Sequence, residues 1–571
     1  MMNVFNMIKE GTGIEIEHPL ITALHTELVI KGDFEKTEHI LEQLYQQRIF
    51  EDYSKNSSYK ANWRRLWATN LDGDSPSPRG GHQMCLDQEG RRIYLLGGWD
   101  GYQDLSDFWC YDIQKEQWKL LSNDTLKNGG PSPRSCHKIG FDSKSRSIFV
   151  LGKYVECHSV PESHLEPDFY RYYCDEDKWE KISHNTVQEG GPGLIFDHQM
   201  CIDTENEMIY IFGGRCVSYD ISRHVYSGLY TYHIPNNTWK LLSIDNGGNG
   251  PKPYDIFSDS SSSLSSCGGN RSRLKSMKSR VGHSMLLDPS SKQLYIFAGQ
   301  RSKDYMSDFF TYSLDNQQVK EISQDYSKEN GPEVGYTQRA TMDSELKEIY
   351  VLSGYLKNQG SDIIKNGLWV YSIDQNQWKN VYQNENQDPD YWKAMKHIEP
   401  CPRFAHQMIY DPLSKLHFIF GGNPGDHECS STRLNDFWQL KLTRPNPDDI
   451  LRRSIYMVRL QRLREKSISI SSTNSTKDDT NYDHKLNALD YLRTYLTPLV
   501  NHDNQEELVE FRKLCTELCL SSENNFLSSS NENNHQDSFN QRKQVFDALL
   551  EYIPPGMKEP VEQLLDVIKL T

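Results

Sequence analysis

One interval recurs six times along this chain and limits what it can fold into. A histidine is followed five residues later by aspartate at His82/Asp87, His137/Asp142, His198/Asp203, His283/Asp288 and His406/Asp411. A sixth copy has Gln338 ahead of Asp343. Fifteen residues after each of these six positions stands the first residue of a glycine pair or its remnant. These are Gly97-Gly98, Gly152-Lys153, Gly213-Gly214, Ala298-Gly299, Ser353-Gly354 and Gly421-Gly422. A fixed period of this length marks an architecture built from one repeated supersecondary unit.

Between the two marks the chain reads as a turn and then a buried strand, as in Ile93-Tyr94-Leu95-Leu96 and Ile209-Tyr210-Ile211-Phe212. Short β-branched and aromatic runs closed by glycine are strand signals. A third strand ends around Trp109, Tyr170, Tyr230, Phe310, Trp369 and Trp438, and Trp118, Trp179, Trp239, Val319 or Trp378 opens a fourth. Four strands with a glycine pair and a late tryptophan resemble the kelch repeat, which implies an all-β six-bladed kelch β-propeller. Pro447 stands where the sixth repeat needs its tryptophan, whereas Trp63 precedes the first repeat. The last blade is therefore expected to take its fourth strand from the N-terminal side, leaving no open sheet edge.

The propeller is expected over 56–445, with flanking α-helical segments. Residues 18–55 carry helical periodicity: Pro19 starts one helix, Asp33 can cap a second, and Phe34, Ile40, Leu41 and Leu44 mark its apolar face. Region 446–571 begins with a basic amphipathic stretch over 446–466, then holds helical stretches 482–500, 505–520, 539–553 and 559–570. Ser/Asn-rich segments 467–481 and 521–538 read as linkers, and the Ser-rich, then basic 252–279 as a disordered insertion.

The net charge of −16 argues against nucleic acid as the main partner, since phosphate binding needs a surplus of Lys and Arg. No apolar run is long enough to span a membrane, and Met1–Glu17 lacks the basic start and apolar core of a secretory signal. The twelve cysteines form no Cys-x-x-Cys pair and read as reduced thiols of a cytosolic protein.

Several longer segments resemble the muskelin family. They are Leu28-Val29-Ile30-Lys31-Gly32-Asp33-Phe34, Arg79-Gly80-Gly81-His82-Gln83-Met84, Gly97-Gly98-Trp99-Asp100-Gly101 and Phe196-Asp197-His198-Gln199-Met200. Gly299-Gln300-Arg301-Ser302-Lys303 and Cys401-Pro402-Arg403-Phe404-Ala405-His406-Gln407 also match. The resemblance implies a CTLH motif in residues 18–55 and a cytoplasmic scaffold of a CTLH (GID-type) E3 ubiquitin ligase with RanBPM-like partners. It also implies the alternative of a cytoskeleton- or adhesion-linked binding protein acting without the ligase. The family's discoidin-like domain has no counterpart here, and 1–17 can hold at most the end of a LisH motif. Self-association through those two elements is thereby placed in question.

No nucleophile elbow, phosphate loop or zinc-protease motif occurs, so no catalytic residue, cofactor or metal is expected. A histidine repeated at one place in every blade serves a structural job, packed and hydrogen-bonded. The repeated aspartates are expected to bind turn amides. Arg79, Arg134, Arg280 and Arg403 lie three residues before a repeated histidine, and Trp99, Arg215, Arg301 and Lys303 lie in loops after a glycine pair. Together they form a candidate partner-binding face, because guanidinium groups bind acidic segments bidentately. The competing reading pairs the blade-entry arginines with Asp107, Asp308 and Asp436.

Overall fold

Each copy of the interval folds into a four-stranded antiparallel sheet. The repeat places an apolar strand between two turns, and only a neighbouring sheet can cover both its faces. In the computed structural model, blade 1 consists of Gln83–Asp87, Arg92–Trp99, Asp104–Asp112 and Gln117–Ser122. Blades 2 to 5 repeat this order, beginning at Lys138–Asp142, Gln199–Asp203, Ser284–Asp288 and Arg339–Asp343. The structure describes residues 17–558 apart from 157–164, 219–223, 244–276, 353, 359–360, 387, 426–428, 472–486, 503 and 521–533. The LisH remnant, the final helical stretch and most of the 252–279 insertion lie outside the described residues, as does most of both linkers.

Blade 6 closes the ring as the surplus Trp63 implies. Its strands Gln407–Asp411, Leu416–Gly422 and Leu434–Thr443 are completed by Lys60–Leu66, with Trp63 opposite Leu440. The six innermost strands neighbour one another in chain order, and the last neighbours the first. Between blades lie the aromatic plates. Trp118 packs on Phe437 of blade 6, Trp179 on Phe108 of blade 1, Trp239 on Phe169 of blade 2 and Trp378 on Phe309 of blade 4. Such buried rings hold the blades in fixed order by area and by ring geometry.

The repeated aspartates do two jobs. Each accepts from the amides of its own turn, as Asp87 does from Gly90 and Asp343 from Glu345 and Leu346. Four are also held by a cation on the following blade's turn: Arg146 on Asp87, Lys347 on Asp288, Lys415 on Asp343 and Arg91 on Asp411. Each of these cations has positive φ, between 46° and 54°.

The described residues of 1–58 and 444–571 form a second, helical unit. Asp33 caps Phe34–Gln46 by accepting from the Lys36 amide at 3.1 Å. Leu24, Leu28, Leu41 and Leu44 share one core with Ile450, Val458, Phe546, Leu549 and Ile553. The two flanking regions, read separately in the sequence, are thus one packed body. Its basic stretch, inside helix Pro447–Ser471, is consumed internally. Arg459 grips Glu38 at 3.0 and 2.7 Å, Arg452 grips Glu507 at 3.0 and 2.9 Å, and Arg462 meets Glu35 at 3.1 Å.

Candidate functional site

The four blade-entry arginines are brackets inside the blades and belong to no exposed face. Arg79, Arg134, Arg280 and Arg403 are 0%, 1%, 0% and 3% exposed. Each guanidinium forks onto a carboxylate: Arg79 on Asp107 at 2.6 and 2.7 Å, Arg134 on Asp168 at 3.1 Å twice, Arg403 on Asp436 at 2.5 and 2.8 Å, and Arg280 on Asp308. Each also donates to the carbonyl opening the glycine pair: Gly97, Gly152, Ala298 and Gly421. A buried cation needs all of these acceptors, because desolvation otherwise outweighs its attraction to one carboxylate. Burial pushes the Asp168 and Asp436 carboxyls up, but Arg134 and Arg403 more than offset it and hold both below the usual carboxylate range. The two blades without the arginine lack the aspartate too. Ile195 stands with Gly228 in blade 3 and Gly335 with Gly367 in blade 5.

The repeated histidines are packed as expected, but not hydrogen-bonded. His82, His137, His198, His283 and His406 are 0% exposed, and neither ring nitrogen of any of them meets a hydrogen-bond partner among the described residues. The rings of His82, His137, His198 and His283 each lie under the first glycine of the preceding blade's pair. A Cβ on Gly213, at φ +72°, would stand 2.6 Å from both the Arg280 carbonyl and His283 Cε1. A Cβ on Gly214 would stand 2.7 Å from His198 Cβ. The pair is therefore threaded between two histidines. Ala298 has replaced the first glycine at φ +61° where Gln338 replaces the next histidine. Gly213→Ala should therefore lower stability by about 2–4 kcal/mol in denaturant unfolding, from left-handed strain plus overpacking. A loss below about 0.5 kcal/mol would remove the packing argument.

The other four candidates do reach the surface, but not as one patch. Arg215 pairs with Phe196 and bridges to Tyr226, and Arg301 stacks over the Tyr226 ring at 4.4 Å. Lys303 is exposed at the tip beyond Arg301, so blades 3 and 4 carry a small cationic–aromatic cluster. Trp99 is half-buried on blade 1, bridged to Gly80. Beside it lie two residues absent from the sequence reading: Tyr102, 79% exposed with its hydroxyl 3.1 Å from Ser431 Oγ, and Arg433. The signal for Tyr102 was its place directly after Gly101, at the tip of a turn that Asp100 closes by accepting from the Tyr102 and Gln103 amides.

At the centre of this face the residues just before the repeated histidines form a ring around the axis. Gly81, Cys136, Asp197, Gly282, Thr337 and Ala405 all have φ between +52° and +65°. Gly81 donates to Ala405, Cys136 to Gly81, Asp197 to Cys136, Gly282 to Asp197 and Thr337 to Gly282, at 2.9–3.2 Å. Tyr336 lies over Gly282 and donates from its hydroxyl to Asp197 Oδ2 at 2.9 Å. No group of three or more His, Cys, Asp or Glu side chains able to hold a metal occurs among the described residues. No helix among them is long and apolar enough to cross a membrane.

Residues 45–273 match the family model of the attractin/LZTR1 β-propeller, and residues 267–443 match that of the KLHDC2/KLHL20/DRC7 kelch-repeats domain. Among curated proteins the chain is 28% identical over 448 residues to Mei4-dependent protein 6 of Schizosaccharomyces pombe, covering 77% of this chain and 58% of that protein. It is 25% identical over 194 residues to mouse multiple epidermal growth factor-like domains protein 8, covering 34% of this chain and 6% of the relative. Human kelch domain-containing protein 10 is 31% identical over 96 residues, covering 16% and 21% of the two chains. The chain thus spans less than two thirds of each of these relatives.

Proposed function

This chain is a kelch-repeat β-propeller protein, and from that premise we propose that it is a non-enzymatic, cytoplasmic scaffold: a muskelin-like subunit of a CTLH-type ubiquitin ligase. The propeller supplies the interaction surface that the fold class supports, and fold alone chooses no partner. The observation that carries the finer reading lies in the helical unit. Within the Leu28–Phe34 segment that resembles the family, Leu28 and Val29 are 0% exposed while Ile30 between them and Lys31 is 58% exposed. A segment that anchors itself by two side chains and presents an aliphatic third to solvent fits a helix-docking surface for a second subunit.

The test uses the intact chain. Affinity purification followed by mass spectrometry is expected to recover RanBPM-like and RING-bearing subunits, and Ile30→Glu is expected to lose them while keeping the wild-type unfolding midpoint. Co-sedimentation with filaments and no ligase subunit would overturn the assignment. Removing residues 482–571 would be a poor substitute, because Phe546, Leu549 and Ile553 belong to the helical core.

A further inference from the structure

In every blade the residue two before the repeated histidine, or before Gln338, pairs with the residue that follows the glycine pair. Two seams between blades are closed there by rings. Tyr154 of blade 2 packs on Phe196 of blade 3 at 5.1 Å, and Tyr355 of blade 5 on Phe404 of blade 6 at 5.4 Å. At the seam of blades 6 and 1 the corresponding position is Gly80, which has no ring to offer. Arg433 of blade 6 reaches over it instead: a Cβ on Gly80 would stand 3.6 Å from Arg433 Cδ and from Ala405 Cβ. Trp99 exchanges two backbone hydrogen bonds with Gly80, at 3.0 and 2.8 Å, so its side chain projects to the face that Arg433 covers. Tyr102 stands at the rim of this seam. A Cβ on Gly101 beside it would collide with the Ser431 carbonyl, so the loops of the two blades are already pressed together.

Arg433 differs from the four bracket arginines in having no carboxylate. It is half-buried, and its Nη1 donates to the Ser430 and Thr432 carbonyls at 2.9 and 2.8 Å. Nε and Nη2 carry no hydrogen bond, and no ion pair engages the guanidinium, among the described residues. Burial, opposed by Asp100, pushes this guanidinium below its ordinary range. The chain thus keeps a partly desolvated cation unmatched in a protein of net charge −16.

We propose that Arg433, Trp99 and Tyr102 form a docking site at the seam of blades 6 and 1 for an acidic segment of a protein partner. An Asp or Glu carboxylate takes the open Nε–Nη2 edge, and a neighbouring apolar side chain lies against the rings. That edge matches a carboxylate bidentately, and the partner supplies the counter-charge that the fold omits. Trp, Tyr and Arg are the side chains that dominate binding hot spots, and a preformed junction costs little ordering. A monoanion is favoured over a phosphate dianion because Asp100 acts on the same guanidinium. The site lies on the propeller and does not rest on the ligase reading.

The experiment selects a phage-displayed library of random peptides on the full chain. Enriched peptides are synthesised with both ends blocked, and their binding is read by fluorescence anisotropy. They are expected to share an Asp or Glu beside an apolar residue. Arg433→Lys keeps the charge but loses the fork, so it should weaken binding about tenfold, as should Tyr102→Ala, each with the wild-type urea midpoint. Asp100→Asn, which keeps the acceptor that closes the turn, should strengthen it. Failure to enrich any peptide, enriched peptides without a shared acid, or equal affinity for Arg433→Lys overturns the proposal. Binding that requires a free C-terminus identifies a terminal carboxylate as the ligand and also overturns it. So does binding about tenfold tighter when phosphoserine replaces the acid, which identifies a phosphate site.

Discussion

Arg134→Ile is expected to lower the stability of the propeller by roughly 3–5 kcal/mol, because it strands the Asp168 carboxylate in a buried site. Asp168 is 5% exposed and receives two donors from Arg134, whose remaining bonds go to the Gly152 carbonyl and to the carbonyl and hydroxyl of Ser132. The double variant Arg134→Ile, Asp168→Gly recreates what blade 3 already has in Ile195 and Gly228. It is expected to be more stable than the sum of the single losses by about 2 kcal/mol or more, the coupling typical of groups in one network. Urea unfolding of the four proteins in the cycle gives the answer. Strict additivity would mean that the bracket is not a unit, and the arginines would return to the list of candidate ligands.

Acid should unfold the propeller well before its carboxylates protonate. His82, His137, His283 and His406 are held well below the ordinary imidazole range by burial first and neighbouring arginines second. His198 and His417 are pushed down to about 3, again chiefly by burial. The unfolded chain binds these protons below about pH 6.5 and the folded chain does not, so stability falls as pH falls. Each such group removes about 1.4 kcal/mol per pH unit below that point, which makes the six together worth on the order of 8 kcal/mol at pH 5.5. Asp168 and Asp436, with depressed values, lose their contribution only at lower pH, as pH falls through their folded pKa. Urea midpoints measured from pH 7.5 to 5.0 should therefore drop steeply between 6.5 and 5.5. His137→Gln, the replacement blade 5 carries at Gln338, should make that slope shallower by one proton. A flat midpoint over this window would show that the rings are protonated in the folded state.

The ring, its six blades and its closure were legible in the chain. Every blade solves the same packing problem, so the histidine, the glycine pair and the late tryptophan recur at fixed offsets, and Trp63 and Pro447 show which blade is shared. The turn-binding role of the aspartates was legible for the same reason, since Asp87 and Gly90 are local partners. What the offsets could not give is who meets whom across blades. His283 ends under Gly213, and Arg146 reaches Asp87, contacts made only once two sheets lie side by side.

The candidate site shows the limit most clearly. Arginine before a strand carries the same sequence signal whether it faces solvent or a carboxylate at the start of the third strand, about thirty residues away. Burial decided that Arg79, Arg134, Arg280 and Arg403 are brackets, whereas Arg215, Arg301 and Lys303 remain at the surface. The joint loss of arginine and aspartate in blades 3 and 5 was present in the sequence, yet it gained meaning only from the geometry. The same holds for the helical flanks, whose apolar faces were visible as periodicity. Only the folded unit shows that Leu28 and Leu41 are covered by Val458 and Phe546. Sequence by itself determined the repeat, because local spacing sets each blade. Tertiary structure alone decided which charges are spent inside the protein and which reach the surface, because burial and pairing are properties of neighbours distant in the chain.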